Sequence, residues 1–266
     1  KREQEIKNGS ASASVTTALL SRISVRRFSP KPVPLDLVHE IIELARFCPS
    51  GGNLQPWHVH VLMGDAVRGA NRSLTAVVAQ AAAAKPLGEG SEYHIYPPNL
   101  TEPYTQRRWQ CGAALYKAAG VQRDDKRGRF AELARNFDFF GAPVGLFFTI
   151  DRQMQQGQFV DLGIFLQSIM LLARERGLHT CAQEAWALRY KTVGQLLAIP
   201  KNHMLFCGMA LGYSDMCSPG AVAVNTLVQS RASVQDFASF YSQPFAEATA
   251  GSDVESSSTN NIKPKL

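Results

Sequence analysis

Apolar positions recur at helical spacing between Pro34 and Cys48, where Leu35, Val38, Ile41, Ile42 and Ala45 line one face and Pro34 suits the first turn. The pattern then changes period. Trp57 to Met63 alternates as a strand, with Trp57, Val59, Val61 and Met63 on one side. Pro143 to Ile150 is a nearly continuous apolar run, as expected of a buried strand. A helix is predicted over Asp161 to Arg176, with an acidic cap at Asp161 and Gly177 just past its end. Its apolar residues cover most of its circumference, so it must be buried in a core or a subunit interface. A short helix over Thr192 to Ile199 is stopped by Pro200, and Met204 to Tyr213 reads as another apolar strand. Ser233 and Asp236 form a capping box that opens a final helix toward Tyr241. Helices and strands intermix, which predicts an α+β or α/β layered fold.

Residues 1–14 and 246–266 read as disordered tails around a single domain at 15–245. Lys1 to Ser14 and Gly251 to Leu266 are rich in Ser, Asn, Lys and Gly, too poor in apolar residues to offset ordering entropy. The segment Lys85 to Tyr104 carries four prolines (Pro86, Pro97, Pro98, Pro103) and several aromatics, the make-up of a functional lid or a plain loop, and the aromatics favour the lid. Composition changes little in this picture: 45% hydrophobic and 19% charged residues are ordinary for a globular chain of 266 residues. The five cysteines (Cys48, Cys111, Cys181, Cys207, Cys217) show no zinc spacing and suit reduced thiols in the cytoplasm. The formal charge of +6 is spread over scattered basic residues with no nucleic-acid motif, and a bound anionic cofactor accounts for some of the excess better than nucleic acid does. No run approaches the roughly 20 apolar residues that span a bilayer, and the N-terminal stretch lacks a signal-peptide core.

Two segments carry candidate chemistry. If Ser21 to Phe28 is extended, Arg22, Ser24 and Arg26 share one face, a donor set suited to a phosphate monoester; a solvated basic face is the competing reading. Pro49-Ser50-Gly51-Gly52-Asn53-Leu54-Gln55-Pro56-Trp57 is a turn whose glycines allow positive φ and whose amides can read the edge of a heterocycle; an ordinary helix-to-strand turn explains the glycines but not the amides.

The order of these two segments resembles the nitroreductase family of FMN flavoproteins, nearest the branch associated with nitrobenzoate- and nitrophenol-type substrates. Further matching stretches are Asn136 to Pro143, Asp161-Leu162-Gly163, Gly177-Leu178 through Trp186, and Ala210 to Tyr213. The resemblance implies a three-layer α/β/α sandwich with a central mixed sheet, and a domain-swapped homodimer whose buried interface helix would be the central one. It also implies FMN held by Arg22, Ser24 and Arg26 at the phosphate and ribityl chain. Pro49, Ser50 and Asn53 of the partner would line the ring, with Gln183 and Glu184 at its face and edge. Asn136 would stand at the pyrimidine edge and Arg231 at the phosphate; Gln229 stands where many members carry Lys. The implied reaction takes hydride from NAD(P)H and passes electrons to a nitroaromatic or quinone-type acceptor by a ping-pong route, with no side chain as nucleophile or metal ligand. A flavin dehalogenase or a non-enzymatic flavin-binding protein on the same scaffold is the alternative. His58 and His60 alternate on a strand but lack a nearby third ligand, so they read as core or surface histidines. Trp109 with Arg107 and Arg108 could gate the acceptor or form a plain helix surface.

Overall fold

The computed structural model describes residues 14–68, 74–85 and 88–242. The chain divides into two units, Lys1–Gln229 and Ser230–Leu266, each described by itself. Apart from Ser14, the expected tails lie outside the described residues, as does Pro86. In the first unit α1 (Val15–Ser21) and α2 (Leu35–Ala45) precede β1 (Trp57–Met63). Helices α3 (Asp65–Arg68), α4 (Leu74–Ala84), α5 (Tyr104–Ala118) and α6 (Lys126–Ala134) follow, then β2 (Val144–Asp151) and α7 (Gln156–Glu175). After them come β3 (His179–Gln183), α8 (Tyr190–Leu196), β4 (His203–Gly212) and α9 (Pro219–Asn225). Short 3-10 segments occupy Gly51–Asn53, Arg135–Gly141 and Glu184–Arg189.

The four strands pair antiparallel in the order β1-β2-β4-β3. A parallel pairing enters through one bridge, Ser24 to Thr180, which makes the sheet mixed at that edge. In β2 every residue from Val144 to Ile150 is buried, because both faces of the sheet are covered. Val144, Leu146, Phe148 and Ile150 point into a core built with Val38, Ile41 and Ala45 of α2 and Leu162, Phe165, Ile169 and Ala173 of α7. Phe147 points the other way, into a core of Ile23, Val25, Phe139, Trp186, Val193 and Leu205. Two covered faces give the three layers that the resemblance implied.

The nearly all-round apolar pattern of α7 resolves into two faces. Leu162, Phe165, Ile169 and Ala173 are buried, each large side chain contributing about 1.5–3 kcal/mol. Val160 and Ile164 lie on the opposite side, 63% and 37% exposed, so the chain itself does not cover that side. By length and composition α7 is apolar enough to cross a membrane, a property it shares with core helices. It starts at Gln156, capped by a reciprocal Gln155–Gln158 box, so Asp161 is an interior helical residue and not the cap the sequence suggests. Gly177 follows at φ 74°, the left-handed stop expected there.

Two other expected helices shift. The predicted Thr192–Ile199 helix is displaced to Tyr190–Leu196, and in the second unit the Ser233–Asp236 capping box closes only a three-residue 3-10 turn, Val234–Asp236. The described part of the proline-rich segment has no regular structure but is tied down in its first half. The Glu89 carboxylate accepts from the backbone N–H groups of Lys191 and Thr192 and from the Thr192 hydroxyl. Tyr93 stacks on Phe206 and donates to its carbonyl at 2.6 Å, where the β2–β4 register shifts between Phe148 and Thr149.

Candidate functional site

After α1 the chain extends along the open edge of β3. The Val25 N–H donates to the Thr180 carbonyl at 3.1 Å, and the Ser24–Thr180 bridge sets the register. Extended backbone alternates its side chains, so Ile23 and Val25 enter the core while Arg22, Ser24 and Arg26 stand half-buried on the other side. The shared face expected from the spacing is therefore present. Burial pushes the Cys181 thiol up, and Arg26, the Ser24 hydroxyl and Arg22 pull it back down. Arg26 spends one donor on the Ser24 carbonyl at 3.2 Å, and its guanidinium lies 5.9 Å from the Phe140 ring centre. Arg27, one residue on, serves the scaffold instead. It grips Glu132 through both nitrogens at 2.9 and 2.7 Å.

A residue the sequence reading missed fixes this segment. Asn225, at the end of α9 and 1% exposed, accepts through Oδ1 from the Arg26 and Arg27 N–H groups, both at 3.1 Å. Its amide nitrogen donates to the Arg27 carbonyl at 2.7 Å and to Ser214 and Asp215 at 3.0 Å. One side chain thus satisfies backbone groups on both sides of Arg26. Nothing in the sequence marks this asparagine, which closes an ordinary apolar helix far along the chain.

The second group is the turn after α2. Gly52, Asn53 and Gln55 adopt φ of 58°, 56° and 48°, so the chain coils left-handed and presents its backbone outward. The Ser50 carbonyl accepts from Asn53 at 2.9 Å and its hydroxyl from the Gln55 N–H at 3.0 Å. Pro49 and Asn53 are exposed and Ser50 half-buried. Asp161 anchors the turn from inside α7: its Oδ1 accepts from the Gly51 N–H at 3.1 Å, while Oδ2 is buried with no hydrogen-bond partner. The acid read as a helix cap is the support of the turn.

The third group joins Asn136 to Gln183. Gln183 is 2% exposed and turns inward, donating to the Asn136 carbonyl at 2.7 Å and accepting from Trp186 at 3.4 Å. Asn136 is half-buried and donates to the Leu133 carbonyl. Gln183 therefore positions Asn136 through its amide. Glu184 follows at the surface, yet the atoms packed around its carboxyl push its pKa up by desolvation. Arg231 belongs to the second unit, where it donates to the Ser230 carbonyl at 2.9 Å. His58 lies against His203, ring centres 4.2 Å apart; among the described residues no three His, Cys, Asp or Glu side chains are arranged to hold a metal.

Chemically, the first group offers two always-charged guanidiniums and a hydroxyl on one face, a fit for a phosphate monoester, and the turn offers an exposed, conformationally fixed backbone with neighbouring amides, a fit for a planar heterocycle. Residues 19–213 match the model of the nitroreductase family. The chain is 38% identical over 219 residues to chloronitrobenzene nitroreductase of Comamonas testosteroni, covering 82% of this chain and 93% of that one. It is 38% identical over 220 residues to 4-nitrobenzoate reductase of Pseudomonas putida, covering 83% and 92%. Its structure is similar to that of the FMN and NADPH-dependent nitroreductase NfnB from Sphigopyxis sp. strain HMH, with a TM-score of 0.79 at 40% identity over 87% of this chain and 100% of that one.

Proposed function

The chain belongs to the nitroreductase family, and from that premise we propose that it is an FMN-dependent oxidoreductase that passes electrons from NAD(P)H to nitroaromatic or quinone-type acceptors. The observation that carries this reading is the half-buried face of Arg22, Ser24 and Arg26, held in register by Thr180 and locked by Asn225. FMN, when bound, supplies the redox chemistry. The protein's part is to hold and orient. Arg22, Ser24 and Arg26 take the phosphate and ribityl end through charge-assisted hydrogen bonds, and Arg231 keeps its phosphate assignment from the family pattern alone. Pro49, Ser50 and Asn53 line the ring across a subunit boundary. Asn136 reads the pyrimidine edge, and Gln183 is a positioning residue that fixes it at 2.7 Å. Glu184 borders the ring, with its carboxyl raised by burial.

The exposed apolar side of α7 supports a homodimer, because Val160 and Ile164 at 63% and 37% exposure are better covered by a second copy than by water. The FMN-binding domain is assigned to 15–245. The free thiols at Cys48, Cys111, Cys181, Cys207 and Cys217 accord with a reducing compartment, and a cytoplasmic location is part of the same proposal.

The test is the absorbance spectrum of the purified protein, followed anaerobically by NADPH or NADH and then by a nitrobenzoate. Visible flavin bands, bleached by the nicotinamide and restored by the nitroaromatic, are expected. Arg26→Ala is expected to weaken FMN retention by about tenfold or more, the scale of one charge-assisted hydrogen bond. A colourless protein that FMN fails to reconstitute would sink the reading.

A further inference from the structure

Helix α5 buries none of its fifteen residues, so it does not serve the core. With α6 and the connection between them it encloses a cleft of about 660 Å³. Its lining includes Arg108, Lys117, Arg123 and Arg129 together with the aromatic rings of Trp109 and Tyr116, and it contains no Asp or Glu. Among the described residues, none of the four cations is in an ion pair with a carboxylate. Two of the guanidiniums are steadied on aromatic faces, Arg108 over Tyr96 at 3.9 Å and Arg129 over Tyr116 at 4.9 Å. Stacking in that way occupies the flat face of a guanidinium and leaves its N–H edge for an anion. At Gly112, in the same lining, a Cβ would meet nothing within 4 Å, so the space beside it is open.

We propose that the cleft between α5 and α6 binds a nucleoside phosphate carrying at least two negative charges. Two features select this class over a small aromatic acid. Four clustered cations exceed what one carboxylate neutralises, and the volume is in the range that encloses a drug-sized ligand, several times larger than a benzoate needs. Trp109, 61% exposed, supplies a face on which a planar base stacks, while the cations take the phosphates. Two sources share this chemistry, the adenosine-phosphate half of the nicotinamide donor and a free nucleotide. The first source rests on the donor proposed above; the site itself does not.

The experiment titrates the flavin-loaded protein with adenosine 2′,5′-bisphosphate, without turnover, by calorimetry and by tryptophan fluorescence. Saturable binding that weakens with salt is expected, about tenfold or more weaker in the Arg123→Ala/Arg129→Ala double variant. Gly112→Leu is expected to block it sterically while favouring the helix, which keeps the test valid should the double variant fold poorly. Both variants should retain the flavin spectrum of the parent. If the bisphosphate also raises the KM for NADPH in flavin reduction, the donor is the source; if it binds and leaves that KM unchanged, a free nucleotide is. Absence of saturable binding, or binding untouched by both variants, overturns the proposal, and so does 4-nitrobenzoate binding that Gly112→Leu abolishes while the bisphosphate does not bind. The binding outcomes are independent of whether NAD(P)H bleaches the flavin; only the assignment of the source uses that reaction.

Discussion

Ile169 and Trp186 are both fully buried, on opposite faces of one sheet, and they reach that state by different routes. On the Ile169 face two long helices lay regular apolar stripes over alternate strand residues, and rings such as Trp57 and Phe165 stack at 4.7 Å on top of that order. On the Trp186 face the cover comes from extended chain, 3-10 segments and helices such as α4, which buries only Leu74 and Val78. Phe139, Phe147 and Trp186 interlock with ring centres 4.8–5.4 Å apart. The strands make room for them with glycine: a Cβ at Gly208 would run into Trp186, and one at Gly145 into Phe139. Phe139 and Phe140 also hold positive φ of 46° and 54°, a conformation that costs about 1–3 kcal/mol per residue and persists only where packing dictates it. One face is assembled by repetition and tolerates small changes; the other is a fitted set in which each ring fixes the next.

That contrast can be broken most sharply at its largest members. Trp186→Ala is expected to cost about 3–5 kcal/mol, whereas Ile169→Val, on the helical face, is expected to cost about 0.5–1.5 kcal/mol. Urea denaturation reads both losses, and a Trp186→Ala loss no larger than that of Ile169→Val would overturn the fitted-set reading. A smaller effect is expected where the helical face meets the turn. Asp161→Ala removes the acceptor of the Gly51 N–H and should cost about 1–3 kcal/mol, with loosened flavin. Asp161→Asn keeps an oxygen for Gly51 and removes a charge from a group whose second oxygen has no partner, so it should lose less.

A pH-dependent effect concerns His179, buried beside Arg174 at 3.0 Å. Burial first, and the arginine second, push its pKa down to about 3, so it stays neutral in the fold. The unfolded chain takes up a proton below about pH 6.5 and the fold does not, so stability falls as pH drops through the window between these two values. The expected loss from this group is about 1.4 kcal/mol at pH 5.5 relative to well above pH 6.5. His179→Gln should flatten that part of the stability curve, as read by denaturant midpoints across pH.

What could be read from the sequence follows the same division. α2, β1, β2 and β4 were legible within a few residues, because a stripe at helical or alternating spacing is a local signal that burial then uses. The Arg22, Ser24 and Arg26 face was legible for the same reason, through the period of two. α5 was read only as a possible helix surface around Trp109 and α6 was not anticipated: they bury almost nothing, so no apolar stripe marks them. Gln183 was expected at the cofactor but faces inward, since whether an amide points to the surface or into a neighbour is decided by Asn136 and Trp186, which lie outside any local pattern. Asp161 was given a capping role because an acid before an apolar run is the usual signal; the helix begins a turn and a half earlier, through a glutamine box.

The lock supplied by Asn225 ties synthesis to cofactor loading. It bonds to Arg26 across 199 residues of chain. A ribosome adding about 5–20 residues per second needs on the order of ten seconds or more to cover that stretch. Throughout that interval the emerging arginine segment lacks the side chain that holds its backbone straight, and for most of it the β3 edge it later lies along. On the proposed assignment, a nascent chain interrupted before α9 would leave the ribosome with Arg22, Ser24 and Arg26 present and no Asn225 to keep them aligned.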